Sequence, residues 1–207
     1  ARFLRAYQYS LLMDLFGNPP FITDADPIGT TPKQIQRKDL FDYVESELKA
    51  IEPDLKAPRT NEYGRADQAA DWALLARIYL NAEVYTGTAH WNDAVTYSKK
   101  VIDAGYSLVP EYKWLMLADN NQNTDEFILT INYDGIRTQG YGGTTFLTHA
   151  PVGGNMVPAK FGISGGWAGA RTTKNLPNLF PDYTGAKDSR AEFFTDGQNI
   201  DIDDITV

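Results

Sequence analysis

The sequence predicts a mainly α chain: tetratricopeptide-like antiparallel helix pairs joined to an irregular, loop-rich region containing short strands. Three observations predict it. Apolar residues recur at helical spacing through the first half. Small residues and a tyrosine fall at repeat-like positions in one helix pair. From Asp134 onward no helical period persists, and Gly, Thr, Asn and Pro are frequent.

The elements follow in order. In ARFLRAYQYSLLMDLFG, residues Leu4, Tyr7, Leu11, Leu12 and Leu15 mark the stripe of a first helix, which GNPPF stops at Gly17. A second helix is expected to start at Thr31-Pro32, an N-cap followed by a proline whose missing N–H costs nothing there. Its stripe is Phe41, Val44, Leu48 and Ile51, and Pro53 ends it. A third helix is predicted from Asp67 to Tyr85, with Trp72, Leu75, Ala76, Tyr79 and Leu80 on one face. A fourth runs from Trp91 to Ala104, with Trp91, Ala94, Val95, Val101 and Ile102 as its stripe and Gly105 just past its end. Leu75, Ala76, Tyr79 and Ala94 are expected at the seam of this second pair, where small residues let the helices approach. The other reading of this pair is any α-hairpin packed on a core. Glu111 to Leu117 reads as a short helix, and EFILTINY as a short strand rich in β-branched and aromatic residues. The expectation is one domain, residues 1–117 forming its helical part and 118–207 its irregular part. Long structured loops of this kind often carry function.

Composition narrows the function. The chain has 207 residues, among them 12 Tyr, 10 Phe and 4 Trp, enough to build a core. Its 19 basic and 27 acidic residues give a formal charge of −8, with no basic cluster, which argues against nucleic acid as partner. There is no cysteine, so disulfides, thiolate zinc sites and cysteine nucleophiles are excluded. No apolar run reaches the length of a membrane span. The helical period is already running at residue 1 and no closing element follows NIDIDDITV, so we expect an internal fragment of a longer protein.

Catalytic signatures are weak. Only two histidines exist, His90 and His149, and neither sits in a recognisable nucleophile setting. His90 reads as the residue that starts the fourth helix. No phosphate-binding loop occurs, and among 27 acids no carboxylate pair stands out for glycoside hydrolysis. Asp119, Asn121, Asn123 and Asp125 alternate like the first ligands of a calcium loop. Thr124 stands where an EF-hand has glycine, and no glutamate stands at the twelfth position. The run therefore reads either as a solvated turn or as a structural calcium site of another geometry; no other cofactor is expected.

The irregular half holds an aromatic and amide set: Asn132, Tyr133, Arg137, Gln139, Tyr141, Trp167 and Arg171. Sugar rings expose C–H faces that pack on aromatic rings, and their hydroxyls bond to Asn, Gln and Arg. Tyr141 lies among Gly140, Gly142 and Gly143, and Trp167 follows Gly165 and Gly166. Two rings on glycine-lined loops suit a stacking platform for a neutral glycan; the alternative is that both pack into a core. As the glycan-binding set we take Trp167, Tyr141, Arg171, Asn132 and Gln139.

The opening ARFLRAYQYSLLMDLFGNPPF, the hairpin ALLARIYLNAEVYTGTAHWNDAVTYSKKVIDAGYSL and the following DEFILTINYDG resemble the SusD/RagB family of outer-membrane glycan-binding lipoproteins. The similarity continues through GGTTFL and GGWAGARTT. The resemblance implies tetratricopeptide-like helix pairs decorated by a large irregular region, no enzymatic activity, and capture of oligosaccharides or polysaccharides at the cell surface. It further implies delivery to a TonB-dependent outer-membrane transporter (SusC-like) and a lipid anchor in an N-terminal segment outside this chain. In the starch-binding type an arc of aromatics cups an α-glucan, and Tyr141 and Trp167 are the residues that fit such an arc. Two other readings stay open: a helical-repeat scaffold for protein partners, and an accessory domain of a glycan-degrading enzyme.

Overall fold

The computed structural model describes residues 1–170, 172–191 and 193. The chain divides into two compact units: 1–108 with 123–130, and 109–122 with 131–207.

The first unit is helical. Helices α1 (Arg2–Phe16), α2 (Arg37–Ile51), α3 (Gln68–Leu80), α4 (Ala82–Thr86) and α5 (Trp91–Asp103) surround one core, with α1 packed on α2 and α3 on α5. Strands β1 (Pro20–Phe21) and β2 (Lys33–Gln34) pair antiparallel, Pro20 opposite Gln34. This pairing corrects the expected start of α2. Residues 33–34 are extended, and the helix begins at Arg37, whose N–H is capped by the Asn18 side chain at 2.7 Å rather than by Thr31.

The stripe of α2 is as the spacing predicts: Phe41, Val44, Leu48 and Ile51 are buried, with Leu40 beside them. That of α1 is rotated. Phe3, Ala6, Tyr9 and Met13 are buried, whereas Leu4 and Leu15 are exposed. Apolar residues surround most of this helix, so its period alone does not select a face. The seam with α2 selects it, Arg2 and Arg5 reaching Glu47 across the pair at 2.8–3.2 Å. The Tyr9 hydroxyl donates to the Ile22 carbonyl (2.6 Å) and accepts from the Ile22 N–H (2.9 Å), fastening the β1 segment to the helix.

Asp67 caps α3 by accepting from the Ala70 N–H at 3.0 Å. The helix is not continuous to Tyr85. It breaks at Asn81 and restarts as α4, which ends on Gly87 in the left-handed region. Leu75 and Tyr79 are fully buried at the α3–α5 seam and Ala94 nearly so, while Ala76 is only half-buried and Leu80 is exposed. On α5 the inward face is Ala94, Tyr97 and Lys100; Trp91, Val95 and Ile102 point outward. His90 starts α5 and stacks on Tyr79, ring centroids 5.6 Å apart.

The short helix expected at Glu111 to Leu117 is present as a 3-10 helix, Tyr112–Met116, whereas EFILTINY forms no strand. Ile128 and Leu129 of that segment instead pack irregularly on the helical core. A strand needs a neighbour to bond to, and among the described residues none lies alongside. The second unit is irregular, as predicted, apart from 3-10 turns and one short helix, α6 (Thr144–His149). Its buried residues include Ala150, Val152, Pro177 and Ala191.

Asp71 lies wholly buried in α3, and neither carboxylate oxygen has a hydrogen-bond partner. Nearby, Glu52 accepts from Trp72 Nε1 (2.8 Å) and Lys100 Nζ (2.7 Å), joining the end of α2 to α3 and α5. Burial, with a smaller push from Glu52 that Lys100 partly offsets, raises the Asp71 carboxyl to about 7. In the unfolded chain an aspartate titrates near ~4. The folded state thus holds this proton more tightly, and its stabilising contribution is full below ~4 and lost as pH rises through about 7. Asp71→Asn should remove that dependence. Denaturant titrations of both proteins should show the wild type losing roughly 2–4 kcal/mol against the variant between acid and neutral pH; parallel curves would refute it.

Candidate functional site

The second unit contains an open cavity of about 480 Å³ lined by Gly140, Tyr141, Thr145, His149, Ser164, Gly165, Gly166 and Trp167. Its walls come from the loop before α6, one face of α6, and the glycine-rich segment after it. No Asp, Glu, Lys or Arg is among these residues, which suits a neutral ligand.

Backbone contacts place Trp167. Its N–H donates to the His149 carbonyl at 2.9 Å, Ala168 N–H to Val152, and Gly169 and Ala170 N–H to Ala150, each at 2.9 Å. Segment 167–170 is thereby laid along 149–152. Two glycines permit it. A Cβ on Gly166 would stand 2.2 Å from the Val152 carbonyl oxygen, and one on Gly153 would stand 2.4 Å from the Ala168 Cβ. Gly166 serves the chain's own packing, whereas a Cβ on Gly165 would meet only open space at the cavity wall.

The two predicted rings are brought together. Tyr141 is 87% exposed and Trp167 40%, with centroids 6.1 Å apart and planes tilted by 52°. Behind Trp167 stand Phe146 at 6.3 Å and His149 at 5.2 Å. Trp167 is thus braced by neighbouring rings and still open on the cavity side, and Tyr141 is the freer of the two.

The amides of the predicted set are not brought to the cavity. Asn132 and Gln139 are exposed and absent from its described lining, and the Gln139 amide donates to the Ile136 carbonyl at 2.9 Å. Tyr133 lies against Gly143, where any Cβ would strike its ring, and Arg137 is exposed on the turn organised by Asp134. Arg171 lies outside the described residues.

His149, Thr145, Phe146 and Ser164 are the residues that sequence reasoning missed. Gly162–Gly166 does read G-x-S-x-G, a spacing passed over above. Ser164, however, lies in a loop rather than between a strand and a helix, and shares no hydrogen bond with His149. His149 Nδ1 is held by the Thr145 carbonyl, not by a carboxylate. The arrangement is not that of a nucleophile elbow.

The 119–125 run is shared between the units, Asp119 and Asn121 in the irregular one and Asn123 and Asp125 in the helical one. Asp125 is bound by Arg59 at 2.9 Å, and its backbone carbonyl accepts from Ser107. Among the described residues no group of three or more His, Cys, Asp or Glu is placed to hold a metal.

The chain is 41% identical over 172 residues to starch-binding protein SusD of Bacteroides thetaiotaomicron, which covers 81% of this chain and 30% of that protein. A solved structure with xylogluco-oligosaccharide superposes with a TM-score of 0.71 at 20% identity, covering 88% of this chain and 37% of the other. Surface glycan-binding protein A of Bacteroides uniformis gives 0.63 at 22%, over 88% and 39%. A SusD-like carbohydrate-binding protein of Bacteroides fragilis gives 0.54 at 23%, over 64% and 26%. No family model matches. The chain is SusD-like in sequence over most of its length and in its mainly helical fold, and it spans about a third of the relative it matches.

The packing makes a direct prediction. Gly166→Ala should push 166–170 off Val152 and destabilise the unit by roughly 1–3 kcal/mol, while Gly165→Ala should stay within about 0.5 kcal/mol of wild type. Equal melting midpoints for the two variants would show that the contact does not hold Trp167 in place.

Proposed function

We propose that the protein binds oligosaccharide or polysaccharide at the outer-membrane surface without chemical change to it, with a starch-like α-glucan as the preferred ligand. The observation that carries this is the pair of tilted, accessible rings, Tyr141 and Trp167, on an open cavity whose described lining holds no acidic residue, lysine or arginine. A pyranose presents an apolar face to such rings, and a bent glucan presents successive faces at an angle. The similarity to a starch-binding protein supports the α-glucan reading. In this reading the protein is lipid-anchored through a segment outside this chain and passes its ligand to a TonB-dependent, SusC-like transporter. No described helix is long and apolar enough to cross a membrane.

Trp167→Ala should weaken binding of maltoheptaose at least about tenfold, since exposed aromatic anchors carry much of the energy at such sites. Its stability cost should stay below the roughly 3–5 kcal/mol of a core tryptophan. Binding should change little with salt, because stacking and neutral hydrogen bonds are weakly screened. Calorimetric titration and a melting curve on the same variant check all three. Intact binding, or loss only alongside global destabilisation, would return Trp167 to a packing role.

From the sequence alone we also propose a structural calcium ion at the 119–125 run. Added calcium should raise the thermal midpoint and a chelator should lower it. Coincident melting curves would leave the run as a turn.

A further inference from the structure

His149 is the one ring in the described lining of the cavity that can present a nitrogen acceptor, and its surroundings fix which nitrogen does what. Nδ1 lies 2.9 Å from the Thr145 carbonyl oxygen and 3.1 Å from Thr148 Oγ1. A carbonyl oxygen only accepts, and the Thr148 hydroxyl proton is already directed at the Thr144 and Thr145 carbonyls, at 3.0 and 3.2 Å. Both contacts require the proton on Nδ1. In the neutral ring Nε2 is then a bare acceptor, and among the described residues no protein group meets it.

The ring is held as well as polarised. One face packs on Trp167 at 5.2 Å with planes 32° apart, and the His149 carbonyl accepts from the Trp167 N–H at 2.9 Å. Rotation about the ring bond is restrained by Thr145. Such an acceptor, on a ring that lines a cavity whose other described residues offer hydroxyls, glycines and aromatic rings, suits the reading of O–H groups.

We propose that His149 is the specificity-determining polar residue of this site. Its Nε2 accepts a hydrogen bond from a ring hydroxyl of the sugar whose face stacks on Trp167, while its own ring positions Trp167. The inference rests on the glycan reading above and adds the ligand's chemistry: a neutral pyranose with a free hydroxyl at the edge beside its stacked face. A site built to bond a hydroxyl discriminates against analogues that lack it, because the acceptor is left unmet.

The test compares maltoheptaose binding to the full-length wild-type protein, His149→Phe, His149→Gln and Trp167→Ala, each with a melting curve. His149→Phe keeps a ring against Trp167 and removes the acceptor, so it should bind about three- to tenfold more weakly at an unchanged midpoint. His149→Gln restores an acceptor without the ring and should recover part of that loss, which a purely structural role would not produce. Wild-type affinity in His149→Phe overturns the inference alone, provided Trp167→Ala has lost binding. Equal loss in the Phe and Gln variants at unchanged midpoints also overturns it, since shape rather than an acceptor is then what matters. Absence of maltoheptaose binding by the wild type, with none for a xylogluco-oligosaccharide either, overturns the glycan reading and this inference with it.

Discussion

Two backbone segments lying against each other with no room for a Cβ make the candidate site possible. Segment 167–170 bonds to 149–152 through four N–H groups, and Gly166 and Gly153 supply the space. The chain thereby gains a short ladder without forming a strand. Ala168 takes the left-handed conformation, φ 53°, within that contact. Trp167 is then carried on a framework, so its ring can stand half open without depending on burial for its orientation.

The helical unit solves a related problem by other means. Its helices meet through small residues and rings, Ala6 and Ala94 allowing approach while Phe41, Tyr79 and His90 fill the space between. Polar groups are carried into these seams mostly in pairs: the Tyr79 hydroxyl donates to Glu45 at 2.7 Å, and the Tyr85 hydroxyl to Asp14 at 2.8 Å. Burial and these carboxylate partners raise both phenols, Tyr85 to about 12. Asp71 is buried with no hydrogen-bond partner among the described residues, as are the Tyr43 hydroxyl and Arg5 Nε. Burying the Asp71 charge unpaired is costly, so the carboxyl holds its proton up to about 7.

The candidate site and the helical scaffold are built from different parts of this chain. The helices resemble those of proteins whose ligands differ, starch for one relative and a xylogluco-oligosaccharide in another solved structure. The rings and the histidine at the cavity belong to loops and a six-residue helix. Irregular backbone of this kind tolerates change more readily than a packed helical seam.

The sequence by itself determined the helical class, the stripe of α2, the start of α3 at Asp67, the end of α5 before Gly105, and the irregular character of the region after residue 134. These follow from period, caps and glycine, which act over a few neighbouring residues. It also singled out Tyr141 and Trp167, because large rings beside glycines are locally conspicuous. Only the tertiary structure decided which face of α1 and α5 is buried, since both helices offer apolar residues on more than one side and the partner makes the choice. The loss of the predicted strand at 126–133, with Ile128 and Leu129 packed on the helical core instead, was decided the same way, as β bonding requires a neighbour that no local pattern supplies. His149 was illegible for this reason too: its importance comes from lying 5.2 Å from a ring eighteen residues away, a distance set by the Gly166–Val152 contact and by nothing in its own surrounding sequence.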